Sequence, residues 1–218
     1  MKAIEIRELT RTFGGKTAVD CLTMDVMQGE TLALLGVNGA GTTPTITMLS
    51  CLLRPTSGDA LLLGDSIISA PERVKRKINV SPQETAVAPN LTVIENLELI
   101  AGVYGASRRG ARQRAAQMVE RFGMGELSRS RAMTLSGGWQ RRLSIAMALI
   151  SGPERLFPDE PTLGLDVLAR RELWRTIEGL RGSVTVILTT HYLEEAEALS
   201  DRVAIMQSGR LRALGTAA

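Results

Sequence analysis

The strongest constraint on this chain is a glycine-rich run, Gly36-Val37-Asn38-Gly39-Ala40-Gly41-Thr42-Thr43, that follows the apolar segment Thr31–Leu35 without a break. Apolar residues recur beyond it at Ile46, Met48 and Leu49, as expected of a helix leaving the loop. A strand, a tight turn and a helix in that order leave the first N–H groups of the helix without intrahelical partners. Those groups and the helix dipole favour an anion, and the glycines let the backbone curl around it. The run therefore reads as a phosphate cradle rather than a bare turn.

Its spacing is that of a P-loop, in which a lysine reaches the outer phosphates and the next hydroxyl reaches Mg²⁺. Thr43 supplies the hydroxyl, but Thr42 stands where the lysine belongs. A hydroxyl does not replace an ammonium point charge, so phosphate binding is expected to be weaker. Pro44 follows in the first helical turn, where a missing N–H costs no helical bond.

The rest of the chain alternates. Residues 2–9 and 18–26 read as two extended segments around Gly14-Gly15, and 60–63 as another short strand. Thr92 with Glu95 forms a capping-box pattern for a helix to about Tyr104. Ser107 is placed to cap a basic helix ending near Phe122, with Gly123 as its stop, and Ser136 heads a third helix over 137–149. Beyond Gly152, apolar strands (155–157, 184–188, 203–206) alternate with helices (167–180, 192–199), which implies parallel β/α layers. The expected fold class is α/β. It consists of a P-loop NTPase core with a parallel sheet, an N-terminal antiparallel β-subdomain, and a helical subdomain inserted over about 85–152 of a single domain, 1–218.

Composition narrows the alternatives. The 218 residues carry 26 Lys+Arg against 23 Asp+Glu, a net charge of +3, with 44% hydrophobic residues, the balance of a folded globular chain. There is one histidine, His191, and the two cysteines, Cys21 and Cys51, lie thirty positions apart. No histidine-cluster metal site or disulfide framework follows from that, and a reduced intracellular chain is expected. No apolar run approaches the ~18–20 residues that span a bilayer, and the N-terminus lacks a signal-peptide core. No basic stripe with interleaved aromatics marks nucleic acid as a partner.

Three further motifs carry chemistry. Leu135-Ser136-Gly137-Gly138-Trp139, followed by Gln140-Arg141-Arg142, places a serine and glycines at a helix N-terminus, a second anion site. Residues Arg155-Leu156-Phe157-Pro158-Asp159-Glu160 end an apolar strand on two acids, and Pro161-Thr162-Leu163-Gly164-Leu165-Asp166 follows. His191 closes the apolar run Thr185-Val186-Ile187-Leu188-Thr189-Thr190. Together with the P-loop, these motifs closely resemble the nucleotide-binding subunits of ABC transporters, over essentially the whole chain.

The resemblance implies that the chain binds and hydrolyses ATP with Mg²⁺. Glu160 would polarise the attacking water, Asp159 and Thr43 would position Mg²⁺, and Gln83 would sense it. His191 would contact the γ-phosphate, Phe13 would stack on adenine, and Gly36, Asn38, Gly39, Ala40, Gly41, Thr42 and Thr43 would cradle the phosphates. Ser136, Gly137 and Gly138 would serve a nucleotide held by the other subunit, and the segment ending in Asp166 would communicate across the dimer. Trp139 with Arg141-Arg142, and the run Thr189-Thr190-His191-Tyr192-Leu193-Glu194-Glu195-Ala196, are most similar to the branch paired with ABC-2-type membrane permeases. That branch implies export, a homodimer or a heterodimer with a related subunit, and a peripheral placement on the cytoplasmic face of the membrane.

The sequence departs from the pattern at Thr42, Pro44 and Pro158. Pro158 is expected to be expelled to a sheet edge, or to end the strand early and displace Asp159 and Glu160. With the signature, Gln83 and His191 intact, the departures admit two readings: a chain that still completes a partner's ATP site while its own is impaired, or an altered gene copy whose protein does little. The sequence ends soon after its last apolar strand, so no added C-terminal domain is expected.

Overall fold

The computed structural model, which describes residues 1–216, begins with a hairpin of β1 (Lys2–Phe13) and β2 (Lys16–Met27). Gly14 and Gly15 close it at φ of 51° and 86°, the two positive values that a two-residue hairpin turn needs and that glycine adopts without strain. The chain continues through β3 (Thr31–Leu35), α1 (Thr42–Leu49), β4 (Ser57–Leu62), β5 (Asp65–Ser66), α2 (Pro71–Lys75) and β6 (Ile78–Ser81). Three longer helices follow, α3 (Val93–Val103), α4 (Arg108–Arg121) and α5 (Gly137–Leu149). The last third alternates: β7 (Arg155–Pro158), α6 (Val167–Glu178), β8 (Thr185–Thr190), α7 (Leu193–Leu199), β9 (Arg202–Gln207) and β10 (Arg210–Thr216).

Two sheets result. The larger has strand order β10-β9-β3-β8-β7-β6, parallel from β9 to β6, with β10 antiparallel at one edge. The smaller is antiparallel, in the order β2-β1-β4-β5. The central strands β3, β7 and β8 are buried along almost their whole length because both faces are covered. Along β8, Ile187 joins the core shared with the antiparallel sheet, whereas Val186 and Leu188 join the core shared with the helices. Phe157 and Leu156 divide in the same way on β7, as the period of two requires.

The helix boundaries follow their caps. Thr92 and Glu95 form the reciprocal capping box of α3, and Ser107 accepts from the Gly110 N–H at the start of α4. Helix α5 packs against β6, β7 and α6 as well as α3, so it leans on the parallel sheet.

One expectation is corrected. Pro158 is neither expelled to an edge nor the cause of a shifted register. It lies buried on β7, an interior strand between β8 and β6. The Asp159 N–H donates to the Ser81 carbonyl (2.9 Å), so by alternation the Pro158 nitrogen faces β8. On that side the pairing lapses between Leu156–Val186 and Asp159–Thr189, then resumes with an unchanged offset. The proline removes a ladder bond without moving the acids that follow.

Candidate functional site

The glycine-rich loop connects β3 to α1 and is anchored at both ends. The Gly36 N–H donates to the Thr190 carbonyl at 3.1 Å, tying the loop to the end of β8. Gly41 adopts φ 101° at the N-cap of α1, and a Cβ there would lie 2.5 Å from the Ala18 carbonyl oxygen. Only glycine fits that combination of conformation and contact. Pro44 occupies the third position of α1 and leaves the helix intact, but it removes one of the orphan N–H groups that would face an anion.

The loop borders a cleft of about 770 Å³. Phe13, Gly36, Asn38, Gly39, Gly41, Thr42, Thr43, Gln83, Glu160 and His191, all expected at one site, line it together. They come from β1, the β3–α1 loop, and the ends of β6, β7 and β8. Convergence at the C-terminal ends of parallel strands is where open α/β sheets bind ligands.

Beside the loop, at the ends of β7 and β8, the cleft is bordered by a hydrogen-bonded set. His191 Nδ1 lies 2.9 Å from a Glu160 carboxylate oxygen. The Thr189 hydroxyl donates to Asp159 Oδ1 (2.5 Å) and accepts from the Glu160 N–H (2.9 Å), which locks the two acids to β8. Glu160 itself sits at φ 46°, a conformation a glutamate holds only when its surroundings impose it. Burial pushes its carboxyl above the usual glutamate range, against the hydrogen bond and charge of His191, which pull it down. A carboxyl raised in this way and lining a cleft has the chemistry to take up or release a proton.

Other expected residues lie elsewhere. Ala40 is buried with its N–H committed to the Val37 carbonyl (2.9 Å), so it shapes the loop rather than facing the cleft. Asp159 lies just behind the cleft wall, 8% exposed. Ser136 and Gly137 are exposed and Gly138 half-buried at the start of α5, away from this cleft, and the Ser136 side chain makes no capping bond. Asp166 caps α6, accepting from the Leu168 and Ala169 N–H groups at 2.9 Å each.

Residues 19–163 match the ABC transporter family. The chain belongs to the ABC transporter family. It is 42% identical over 216 residues to the daunorubicin/doxorubicin resistance ATP-binding protein DrrA of Streptomyces peucetius, an alignment covering 99% of this chain and 66% of that protein. It is 38% identical over 214 residues to the linearmycin resistance ATP-binding protein LnrL of Bacillus subtilis, covering 98% of this chain and 69% of the relative. The chain thus spans about two thirds of the length of these relatives. A solved ATP-binding subunit of an ABC transporter superposes with a TM-score of 0.84 at 29% identity, over 98% of this chain and 90% of that one. A dimeric ATP-binding cassette in a post-hydrolysis state with ADP and Pi shares the fold, with a TM-score of 0.86 at 23% identity over 99% of both chains.

Within this ABC-family fold, two buried charged residues were not legible as site residues in the sequence. Arg141, on α5, donates to the carbonyls of Asp159 (2.7 Å), Pro161 (2.9 Å), Gln83 (3.1 Å) and Pro82. One guanidinium thereby joins the segments after β6 and β7 to α5. Glu195, fully buried, accepts from the Thr162 and Thr190 hydroxyls (2.7 and 2.6 Å) and from Trp174 Nε1 (3.2 Å). Both lie in runs that carry the family resemblance, but most of their partners are distant in sequence, so their roles show only in the fold.

Proposed function

We propose that this chain is the ATP-binding subunit of an ABC exporter and hydrolyses ATP in the cleft. The observation that carries the proposal is the Glu160–His191 pair, 2.9 Å apart, lining the same cleft as the glycine-rich loop. Glu160, as carboxylate, accepts a proton from a water in line with the γ-phosphate, and His191 orients Glu160 and contacts the phosphate. Gln83 reaches the same volume from the end of β6, and exposed Phe13 offers a face for the adenine.

The residues fit a Mg²⁺ ion carried by a nucleotide. No group of three or more His, Cys, Asp or Glu side chains is clustered for a metal among the described residues. Mg²⁺ bound through phosphates needs only one or two protein ligands, and Thr43 and Asp159, with Gln83 nearby, supply them. The ion neutralises charge on the β- and γ-phosphates when bound.

Ser136, Gly137 and Gly138 share no wall with this cleft, so they serve a nucleotide held by a second copy or by a related subunit. The uncommitted Ser136 side chain supports that reading. An ABC-2-type permease docks beside Gln83, where Val80, Pro82, Ile100, Val103 and Tyr104 line a shallow groove between β6 and the inserted helices. No helix of the described residues is long and apolar enough to cross a membrane, so a peripheral, cytoplasmic placement rests on that permease.

Thr42 favours a second reading: a subunit that turns over slowly and responds to nucleotide while completing its partner's site in a heterodimer. Single-turnover hydrolysis at saturating MgATP separates the two. Turnover abolished by Glu160→Gln supports the enzyme. Binding without turnover, alone or with the partner subunit, supports the regulatory subunit.

A further inference from the structure

We propose that Lys16 supplies to the phosphates the positive charge that Thr42 does not, an inference that rests on the cleft being a nucleotide site. The chain has four lysines. Three are ion-paired: Lys2 with Asp25 (3.4 Å), Lys75 with Glu72 (3.0 Å) and Lys77 with Asp65 (2.8 Å). Lys16 has no acidic partner among the described residues, and it is the only lysine or arginine lining the cleft there.

Its position is built in. Phe13 and Lys16 are the terminal cross-strand pair of the β1–β2 hairpin, held directly opposite each other by the Gly14-Gly15 turn. Opposed residues project to the same face, and both side chains line the same cavity. An aromatic surface for the base and an ammonium for the phosphates thus stand side by side. The hairpin is also seated on the phosphate loop, since the Ala18 carbonyl rests against Gly41, and β2 carries one extra residue relative to β1 at this point. Lys16 leaves the same strand two residues before that contact.

The chemistry requires such a group. The loop lacks its lysine, Pro44 removes an orphan N–H, and Glu160 contributes negative charge to the same cleft. A lysine acts as a point charge on a flexible stem, so it need not arise from the loop to reach a phosphate.

The test is calorimetric binding of MgATP, MgADP and adenosine to the purified chain and to K16M, K16R, T42K and T42K/K16M. We expect K16M to lose at least tenfold in affinity for both MgATP and MgADP, with adenosine within twofold. K16R should stay within threefold, and T42K/K16M within threefold of T42K, because a loop ammonium takes over the role. Unchanged MgATP binding by K16M, in a chain that binds, overturns the inference and leaves the nucleotide site standing. An equal loss for adenosine overturns it too, since the side chain would then act by packing. No binding by the unmodified chain at millimolar MgATP overturns the site and the inference together.

Discussion

The cleft has two walls that differ in how far they keep the chemistry expected of them. On one, the β7 and β8 ends hold Asp159, Glu160, Thr189 and His191 in a closed hydrogen-bonded set. On the other, the β3–α1 loop keeps its backbone path but has a threonine for its lysine and a proline for one of its N–H groups. Geometry and charge have separated. The loop's shape is fixed by glycine contacts and by backbone anchors to β8 and β2, and no charged side chain takes part in them. The side-chain bonds among Asp159, Glu160, Thr189 and His191 include no loop side chain, although the loop is tied to β8 through the Gly36 N–H. The losses should therefore fall on phosphate affinity and leave the reacting geometry in place.

The sharpest way to break that division is to remove the base. Glu160→Gln should lower single-turnover hydrolysis by about 10²–10⁴-fold, the usual contribution of a positioned general base, while MgATP affinity stays within threefold. A matching loss of affinity would mean that the two walls are not separate. Repairing the other wall tests the converse. A charge-assisted hydrogen bond contributes about 1.5–3 kcal/mol, so Thr42→Lys should tighten MgATP binding by roughly 10–150-fold in a K16M background and by less in the parent, where Lys16 already supplies charge. Its single-turnover rate at saturation should change far less.

Strand β7 extends the comparison to stability. Arg155 is 1% exposed; its Nε and Nη1 have no hydrogen-bond partner among the described residues, and Nη1 is ion-paired with half-exposed Glu154 at 3.7 Å. Replacing such a buried charge with an apolar side chain often stabilises by about 1–4 kcal/mol, so Arg155→Leu should raise the melting temperature by several degrees. Pro158→Leu should add a smaller gain, of the order of 1 kcal/mol, by restoring one ladder bond to β8. Neither substitution should change MgATP affinity. If Pro158→Leu alone restored turnover, the acids would be displaced after all.

What the sequence disclosed was local. The glycine spacing, the Thr92/Glu95 box, Ser107 and the strand ending in His191 are patterns within a few residues, set by backbone geometry. They hold wherever the segment lands. What escaped depends on which segments meet. Arg141 sits in a helix whose neighbours are buried, and only the fold shows four carbonyls from two other segments converging on it. Lys16 is one polar residue among many at a hairpin end until the loop is packed beneath it. The fate of Pro158 was misjudged for a related reason. A proline forfeits a bond on one side of a strand, and whether that is tolerated depends on the pairing that remains with β6.

The smallest effect concerns pH, and it tests whether burial or His191 governs the hydrolytic wall. Burial is the larger influence on Glu160, so its carboxyl is raised in the folded chain above the ordinary glutamate value. Below that value both folded and unfolded chains hold the proton, and the residue makes no pH-dependent contribution. As pH rises from there through the raised value, the unfolded chain releases the proton first. Stability then falls, because the native state binds more protons than the unfolded one. Glutamine cannot ionise, so Glu160→Gln should match the parent in melting temperature near pH 4. It should then become progressively more stable than the parent by a degree or more towards pH 8. The acid limb of the single-turnover rate should likewise lie above the ordinary glutamate range, since only the carboxylate accepts the proton from water. A variant that instead lost stability relative to the parent as pH rose would mean that the bond to His191 outweighs burial, with Glu160 held as an ion by its partner.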